Sequence, residues 1–452
     1  MNTLKNQKSV FCPALFLTAP ASGQGKTTVT AALARMLKRQ GKTVRVFKTG
    51  PDFLDPQILA QASGEHVEQL DLWMAGENYC RYQFYQAAKE ADLIIIEGAM
   101  GMFDGEPSSA DLAATFNIPM AIVMDVKGMA QTAAAIAIGL ANYRDDVQVA
   151  GLIANSCSTE RHRQLIDDAL PENLPLLATL ARSELVALPE RHLGLVQASE
   201  VRDELELRFE AGADWLVEAG LENILERFAN VEFKPAQLPV EEPLLKNKVI
   251  AVAKDEAFSF IYQANLLILR ELGAEVKFFS PLYDQTIPEA DALWLPGGYP
   301  ELHAKKLAAN ISMLKSMKNF SDQKKPILAE CGGFLYCLEE LTDLNDEIHI
   351  MANILSGQGA MKGKRGCQGM QTAIFPEGEV RAHAHHRSRS FNMPEALSYG
   401  RRQRHPAPGE AMYRHNNLNA SYLHLFFPSN PKAISCLFDP ELAKELTDAV
   451  IL

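Results

Sequence analysis

The stretch LFLTAPASGQGKTTVTAALARML, residues 15–37, sets a small-residue loop between an apolar run and a helix-like apolar pattern. In such a loop Gly23 and Gly25 let the backbone close around a phosphate, Lys26 reaches toward terminal phosphates, and Thr27 offers a hydroxyl to magnesium, with Thr28 beside it. Backbone amides and the dipole at a helix N-terminus favour an anion there. The spacing departs from a standard phosphate loop, because Pro20 stands where a glycine is usual; the bland alternative leaves Lys26 as a solvated lysine at a helix start. In LIIIEGAMGMFDG, residues 93–105, Glu97 ends a fully apolar strand, where a carboxylate is costly to bury unless a cation or hydrogen bonds compensate. A magnesium ligand is the economical explanation. VFKTGPDFLDP, residues 46–56, likewise puts Lys48, Asp52 and Asp55 just past a strand, the end at which open parallel sheets hold their ligands. Singly, each acid reads equally well as a turn or cap residue; as a set beside a phosphate loop, the acids read as catalytic and metal-binding.

A second candidate is KKPILAECGGFLYCLEE, residues 324–340. The apolar run ends at Cys331, two glycines follow, and a helical pattern begins. Taken alone, Cys331 is as readily a buried thiol at a turn as a nucleophile at its tip. The tracts RAHAHHRSRS (381–390) and GRRQRHPAP (400–408) concentrate basic charge. His383, His385 and His386 invite a metal reading, but adjacent and alternate histidines on a loop lack a third-ligand pattern; a solvated charged loop is the plain alternative.

These segments need elements to hold them. From residue 14 to about 200, the runs ALFLTA, TVRVFKTG, LIIIEGAMG, IPMAIVMDVKG and VQVAGLIANS alternate with helix-like segments, which predicts a doubly wound parallel sheet wrapped by helices. EFKPAQLPVEEPLLKNK, residues 232–248, carries three prolines and several charges and reads as a linker. A new alternation begins at VIAVAKDEAF, so a first domain over 1–230, a linker over 231–247 and a second α/β domain over 248–452 are expected. The net charge of −12 argues against nucleic-acid or membrane-surface partners. No apolar run of about 18 residues and no secretory start are present, so a cytoplasmic protein is expected. The seven cysteines (12, 80, 157, 331, 337, 367 and 436) form no C-x-x-C pair, and all but Cys331 read as core.

ASGQGKTT (21–28), KTGPDFLDP (48–56), EGAMGMFDG (97–105) and LPERHLGL (188–195) are followed by DEAF (255–258), FFSPL (278–282), LPGGYPEL (295–302), AECGGF (329–334) and SYLH (421–424). Together and in this order they resemble the cobyrinic acid a,c-diamide synthase family, over nearly the whole chain. That family's first domain is similar to dethiobiotin synthetase, and its second to the class I glutamine amidotransferases. The resemblance implies transfer of the ATP γ-phosphate to a peripheral acetate carboxylate of a corrin, then attack of ammonia on the acyl phosphate to give an amide. It further implies that Lys26 and Thr27 hold phosphate and magnesium, that Glu97 and Asp52 or Asp55 complete the metal shell, and that Lys48 steadies the γ-phosphate. Asp104 and Leu54 are expected nearer the reacting carboxylate, and Asn155 near adenine, with a turn-capping Asn as its alternative. Cys331 is expected to attack glutamine, His424 to serve as base and then acid, and amides near Gly297, Gly298 and Gly332 to stabilise the oxyanion. Ala329 replaces the first glycine of the family pattern G-x-C-x-G. Phe426 stands where most class I members place a Glu, so a Cys–His dyad is expected, oriented by another group.

Arg381, His383, His386 and Ser388 match a family stretch similar to R-G-H-x-F-H-x-S, and Arg381, His383 and His386 are expected to bind the substrate's carboxylates. Arg191 and His192 are further candidates for substrate or interface contact. The expected partners are thus ATP, glutamine and cobyrinic acid or a related tetrapyrrole, with a homodimer left open. Hydrogenobyrinic acid or nickel-sirohydrochlorin are the rival macrocycles. A partitioning-type nucleotide switch would share the phosphate loop, but Ala21 stands where such proteins carry a lysine, and they lack a glutaminase half. A binding-only protein with an inactive amidotransferase half is disfavoured because Cys331 and His424 are both present.

Overall fold

The computed structural model describes residues 8–191, 194–195, 198–239, 241–361 and 368–443; of Glu190, Arg191, Gly194, Leu195 and Ser199 only the backbone is described. The chain forms two compact units, Met1–Pro239 and Val240–Leu452.

In the first unit a parallel sheet runs in the order Glu68–Leu70, Val44–Thr49, Leu93–Glu97, Val10–Thr18, Met120–Asp125, Val149–Asn155, Leu176–Leu180. The chain leaves the central strand Val10–Thr18 first to one side and then to the other, the doubly wound pattern predicted from the alternation. Helices cover both faces, so strand residues such as Phe16, Leu17, Ile95 and Ile96 are fully buried whichever way they point. That is why these strands read as unbroken apolar runs. The helix Lys26–Arg39 starts at Gly25, whose φ of 92° lies in the left-handed region, and ends with Lys38 and Arg39 where cations suit the dipole.

The boundary between the units falls within the segment expected as a linker, but that segment's first residues belong to the first unit's sheet. Asn230–Phe233 pairs antiparallel with Val10–Pro13, and Val231 and Phe233 are buried while Glu232 is exposed. That alternation adds a strand to the first unit, which extends to Pro239.

In the second unit Glu275–Phe279, Val249–Ala253, Ala292–Leu295, Ile327–Glu330 and Leu418–Ser421 pair as parallel neighbours. The sheet continues antiparallel through Pro408–His415, Ser398–Arg402, Gly369–Phe375, Gly378–Ala384 and Leu423–Leu425. The basic tract read as a loop is therefore largely strand: Gly378–Ala384 lies inside this sheet, and Ser388–Phe391 pairs with Gln358–Met361 in a smaller one. Along the strand Arg381 and His383 share one face and Ala382 and Ala384 the other; Ala382, His383, Ala384 and His386 are buried, while His385 and Arg389 are exposed. Among the described residues, no helix is long and apolar enough to cross a membrane.

Candidate functional site

The first cluster gathers at the C-terminal ends of the parallel strands. Thr27 lies in the first turn of the helix after the loop, Lys48 is the penultimate residue of Val44–Thr49, Glu97 ends Leu93–Glu97, and Asp55 opens the helix Asp55–Ser63. Thr27 Oγ1 donates to Glu97 Oε1 at 2.7 Å and lies 3.4 Å from Asp55 Oδ2. Lys48 Nζ donates to Asp55 Oδ2 at 2.6 Å and to Glu97 Oε1 at 2.7 Å, with Asp52 Oδ2 3.8 Å away. Lys26 Nζ donates to the Met100 carbonyl at 2.8 Å, so the lysine crosses to the loop that follows Glu97.

The electrostatics of this cluster are unbalanced. Burial works to discharge Lys48, yet Glu97, Asp55 and Asp52 together hold its ammonium above the ordinary lysine range. Burial, and then Lys48, push Lys26 down to about 8. Burial raises Glu97 against the pull of Lys48, while Lys48 holds Asp55 below the usual carboxylate range despite burial. Burial and the neighbouring Asp55 carry Asp52 up to about 7. Three acids thus share two lysines in a confined space. Glu97 Oε2, fully buried, has no hydrogen-bond partner. An orphaned carboxylate oxygen amid surplus negative charge fits a hard divalent cation, so the residues present are suited to magnesium.

Other expected residues serve the cluster's loops. Asn155 Nδ2 donates to the Gln24 carbonyl at 3.1 Å, and the Asp125 amide donates to Gln24 Oε1 at 2.9 Å, which ties the phosphate loop to two strand ends. The Ser156 amide donates to Asn155 Oδ1, so Asn155 also caps its own turn. Asp104 is exposed, and its Oδ2 accepts from the Gly101 amide at 3.0 Å. The Leu54 amide donates to Asp52 Oδ1, fixing the turn before the helix. Thr28 is half-buried on the first turn after Thr27, and Gly23 takes a φ of 77°. Arg191 pairs by backbone with Gly194, its side chain outside the described residues; His192 and Cys367 lie outside them altogether.

The second cluster is built around Cys331, between the strand Ile327–Glu330 and the helix Gly332–Cys337. Its φ of 46° and ψ of −100° are forced on a residue with a Cβ, a strain on the order of 1–3 kcal/mol. Such strain projects the thiol from the tip of a sharp turn. The Cys331 amide donates to the Ser421 carbonyl at 2.8 Å, and the Gly333 amide to the Pro296 carbonyl at 3.0 Å. Glu330, just before the cysteine, bridges three strands: Oε1 accepts from the Leu425 amide at 2.8 Å and Oε2 from Trp294 Nε1 at 3.0 Å. It therefore locks the residue after His424 to the residue before Cys331. Burial lifts its carboxyl up to about 8.

His424 is held by packing. His383, its register partner on Gly378–Ala384, stacks on it with centroids 4.9 Å apart and planes 20° from parallel. The Tyr262 hydroxyl lies 3.0 Å from His383 Nδ1. On the other side a Cβ added at Gly297 would run into His424 Cε1, so only glycine lets the turn approach. An added Cβ at Gly298 would meet the Ala257 carbonyl, and one at Gly332 would lie 2.9 Å from the Gly298 amide nitrogen. The glycine turn thus lies against both the cysteine turn and the imidazole. Phe426 is fully buried against Tyr262. Burial, with His385 and His386 nearby, holds His424 down to about 3, and burial with Glu301 pushes the Cys331 thiol up. Burial thus favours the neutral form of both the thiol and the imidazole.

Two residues expected at an exposed substrate patch lie in this second cluster. His383 backs His424, and His386 is buried, stacked on Tyr422 at 3.8 Å, with Nε2 2.9 Å from Glu410 Oε1. Arg381, half-exposed on the same strand, donates to Thr372 Oγ1 at 3.3 Å. Sequence reasoning missed Glu330, Tyr262 and the role of His383. Glu330 alone left a signal, an acid ending an apolar strand next to the thiol.

The amino-terminal part, residues 15–196, matches the model of the CobQ/CobB/MinD/ParA nucleotide binding domain. Residues 249–432 match that of the CobB/CobQ-like glutamine amidotransferase domain. The chain is similar to the hydrogenobyrinate a,c-diamide synthase of Stutzerimonas stutzeri, with 48% identity over 95% of this chain and 99% of that protein. It is similar to the Pseudomonas aeruginosa protein of the same name, 48% identical over 95% and 98% of the two chains. The cobyrinate a,c-diamide synthase of Herminiimonas arsenicoxydans is 44% identical over 95% and 97%.

Proposed function

The chain belongs to the family of cobyrinate and hydrogenobyrinate a,c-diamide synthases, and from that membership we propose how its two clusters divide the work. The protein is a glutamine-dependent amidating ligase with ATP as co-substrate, acting on the a- and c-acetate carboxylates of a corrin of the cobyrinic acid type. A carboxylate oxygen takes the γ-phosphoryl group, releasing ADP; ammonia then attacks the acyl carbon and phosphate leaves with its electron pair. Phosphorylation is needed because a carboxylate is a poor electrophile without a leaving group. Lys26 and Lys48 steady the charge on the transferring group, the loop amides from Gly23 to Thr28 cradle the phosphates, and Asn155 sets the loop's position. Thr27, Asp55, Glu97 and, less closely, Asp52 would hold magnesium, which neutralises phosphate charge when bound. Asp104 and Leu54, on the neighbouring loops, are assigned to the acceptor's side.

In the second unit His424 takes the Cys331 proton, sulfur attacks the glutamine carboxamide, and amides at Gly298 and Gly332 receive the oxyanion. His424 returns the proton to the departing ammonia, and water frees glutamate from the thioester. The observation that carries this reading is the strained Cys331 turn locked to the His424 strand through Glu330, in the same chain as the lysine–carboxylate cluster. His383 and Tyr262 take the orienting part that an acid plays elsewhere. Two relatives at 48% identity carry the hydrogenobyrinate name, which favours the cobalt-free ring as a second reading of the acceptor.

The test is incubation of the full chain with magnesium, ATP and glutamine or ammonia on cobyrinate, hydrogenobyrinate and nickel-sirohydrochlorin, followed by mass. Two amide conversions on one of the first two rings are expected; no amide on any ring would overturn the proposal. A narrower prediction concerns Gly297→Ala. Its Cβ displaces the His424 ring, and glutamine-supported synthesis should fall on the order of 10²-fold, as for a misplaced catalytic group, with ammonia-supported synthesis retained in steady-state assays.

A further inference from the structure

Three carboxylates act on the Cys331 thiol, and they differ in one respect. Glu330 has both oxygens engaged, by Trp294 and the Leu425 amide. Glu410 faces His386. Glu301 is only 8% exposed, yet among the described residues no side chain pairs with it, and its own backbone amide is the hydrogen-bond donor it finds. A carboxylate buried without a cation is costly and calls for one from outside.

Its place in the fold says which cation. Glu301 sits in the short helical turn Pro300–Leu302 that continues the glycine turn. Gly297 of that turn touches His424, Gly298 lies against Gly332, and an added Cβ at Gly332 would meet Pro300 Cδ at 2.8 Å. One short stretch thus carries the imidazole's wall, one of the two oxyanion amides, the residue packed on the cysteine turn and the lone acid. A glutamine whose carboxamide carbon is at the Cys331 sulfur still carries an ammonium, two methylenes and one carbon away, that must leave water.

We propose that Glu301 receives the α-ammonium of glutamine and so selects glutamine over carboxamides that lack it. The inference rests on the glutaminase reading of the second unit. The ammonium also offsets the negative field of Glu301, the strongest charged influence on the Cys331 thiol, so the substrate itself eases formation of the thiolate. Glu301 is then a specificity-determining residue for the ammonia-yielding step.

The experiment compares glutamine with glutaramate, the same molecule without its α-amino group, as nitrogen donors for full-length protein and for Glu301→Gln. The unsubstituted protein should favour glutamine in kcat/KM on the order of 10²-fold, the scale of a hydrogen bond to a charged group. Glu301→Gln should bring that ratio close to unity by lowering kcat/KM for glutamine alone, and Glu301→Asp should keep part of it. Ammonia-supported synthesis in each variant reports folding. A ratio unchanged in Glu301→Gln, or an equal fall for both donors, overturns the proposal. Absence of any amide from glutamine with the unsubstituted protein would instead overturn the glutaminase reading.

Discussion

Replacement of Cys331 by alanine abolishes glutamine-supported amidation, by on the order of 10⁴-fold or more, and leaves ammonia-supported amidation near its original rate. The thiol is the one group whose bond to the carboxamide carbon makes the step possible, so no neighbouring group substitutes for it. The synthetase cluster lies in the other compact unit and uses none of its atoms. The substitution also removes a buried thiol from a residue held at a φ of 46°, which alanine tolerates no better, so a small loss of stability accompanies the loss of activity. Rates with both nitrogen sources, measured at a pH high enough to supply free ammonia, separate the two functions. Equal loss with glutamine and with ammonia would contradict this division of labour.

Glu97→Gln lowers amidation with both nitrogen sources, on the order of 10³-fold, the scale of removing a major electrostatic contact from a transfer site. An amide can still accept from Lys48 through its oxygen, but it puts an NH₂ group where the unpartnered Oε2 sits and removes the charge that balances Lys48. The buried lysine is then left chiefly with Asp55 at 2.6 Å. Binding of magnesium and ATP should suffer together, which gives a readout besides activity. At saturating nucleotide a bound ligand raises stability by about 3 kcal/mol, worth several degrees in melting temperature for a unit of this size, and that rise should vanish in Glu97→Gln. Undiminished synthesis with ammonia would remove Glu97 from the transfer site.

The first cluster was legible because its parts are local. A small-residue loop between a strand and a helix, and acids directly after apolar strands, announce a phosphate site wherever strand order puts them side by side. Cys331 was half legible, since a strand, a thiol and two glycines imply a turn without saying what faces it. The basic tract shows where such reading stops. Its charge pattern marks a surface, yet Gly378–Ala384 pairs with Leu423–Leu425 about forty residues further along the chain, and that pairing turns His383 onto His424. The start of the linker was misplaced for a related reason: prolines and charges signalled the break between the units, while Val231 and Phe233 found partners on Val10–Pro13 at the opposite end of the first unit's sequence.

By itself the sequence determined two α/β units, a phosphate loop with its acids, a thiol at a turn and a histidine lacking its usual acid, because each is written in neighbouring residues. Only the tertiary structure decided that packing against His383 and Gly297 holds that histidine, that Glu330 ties its strand to the thiol's, and that Glu301 lies buried beside them with no side-chain partner among the described residues. Those relations join residues far apart in the chain, and they depend on the order of strands in a sheet, which hydrophobic alternation alone leaves open.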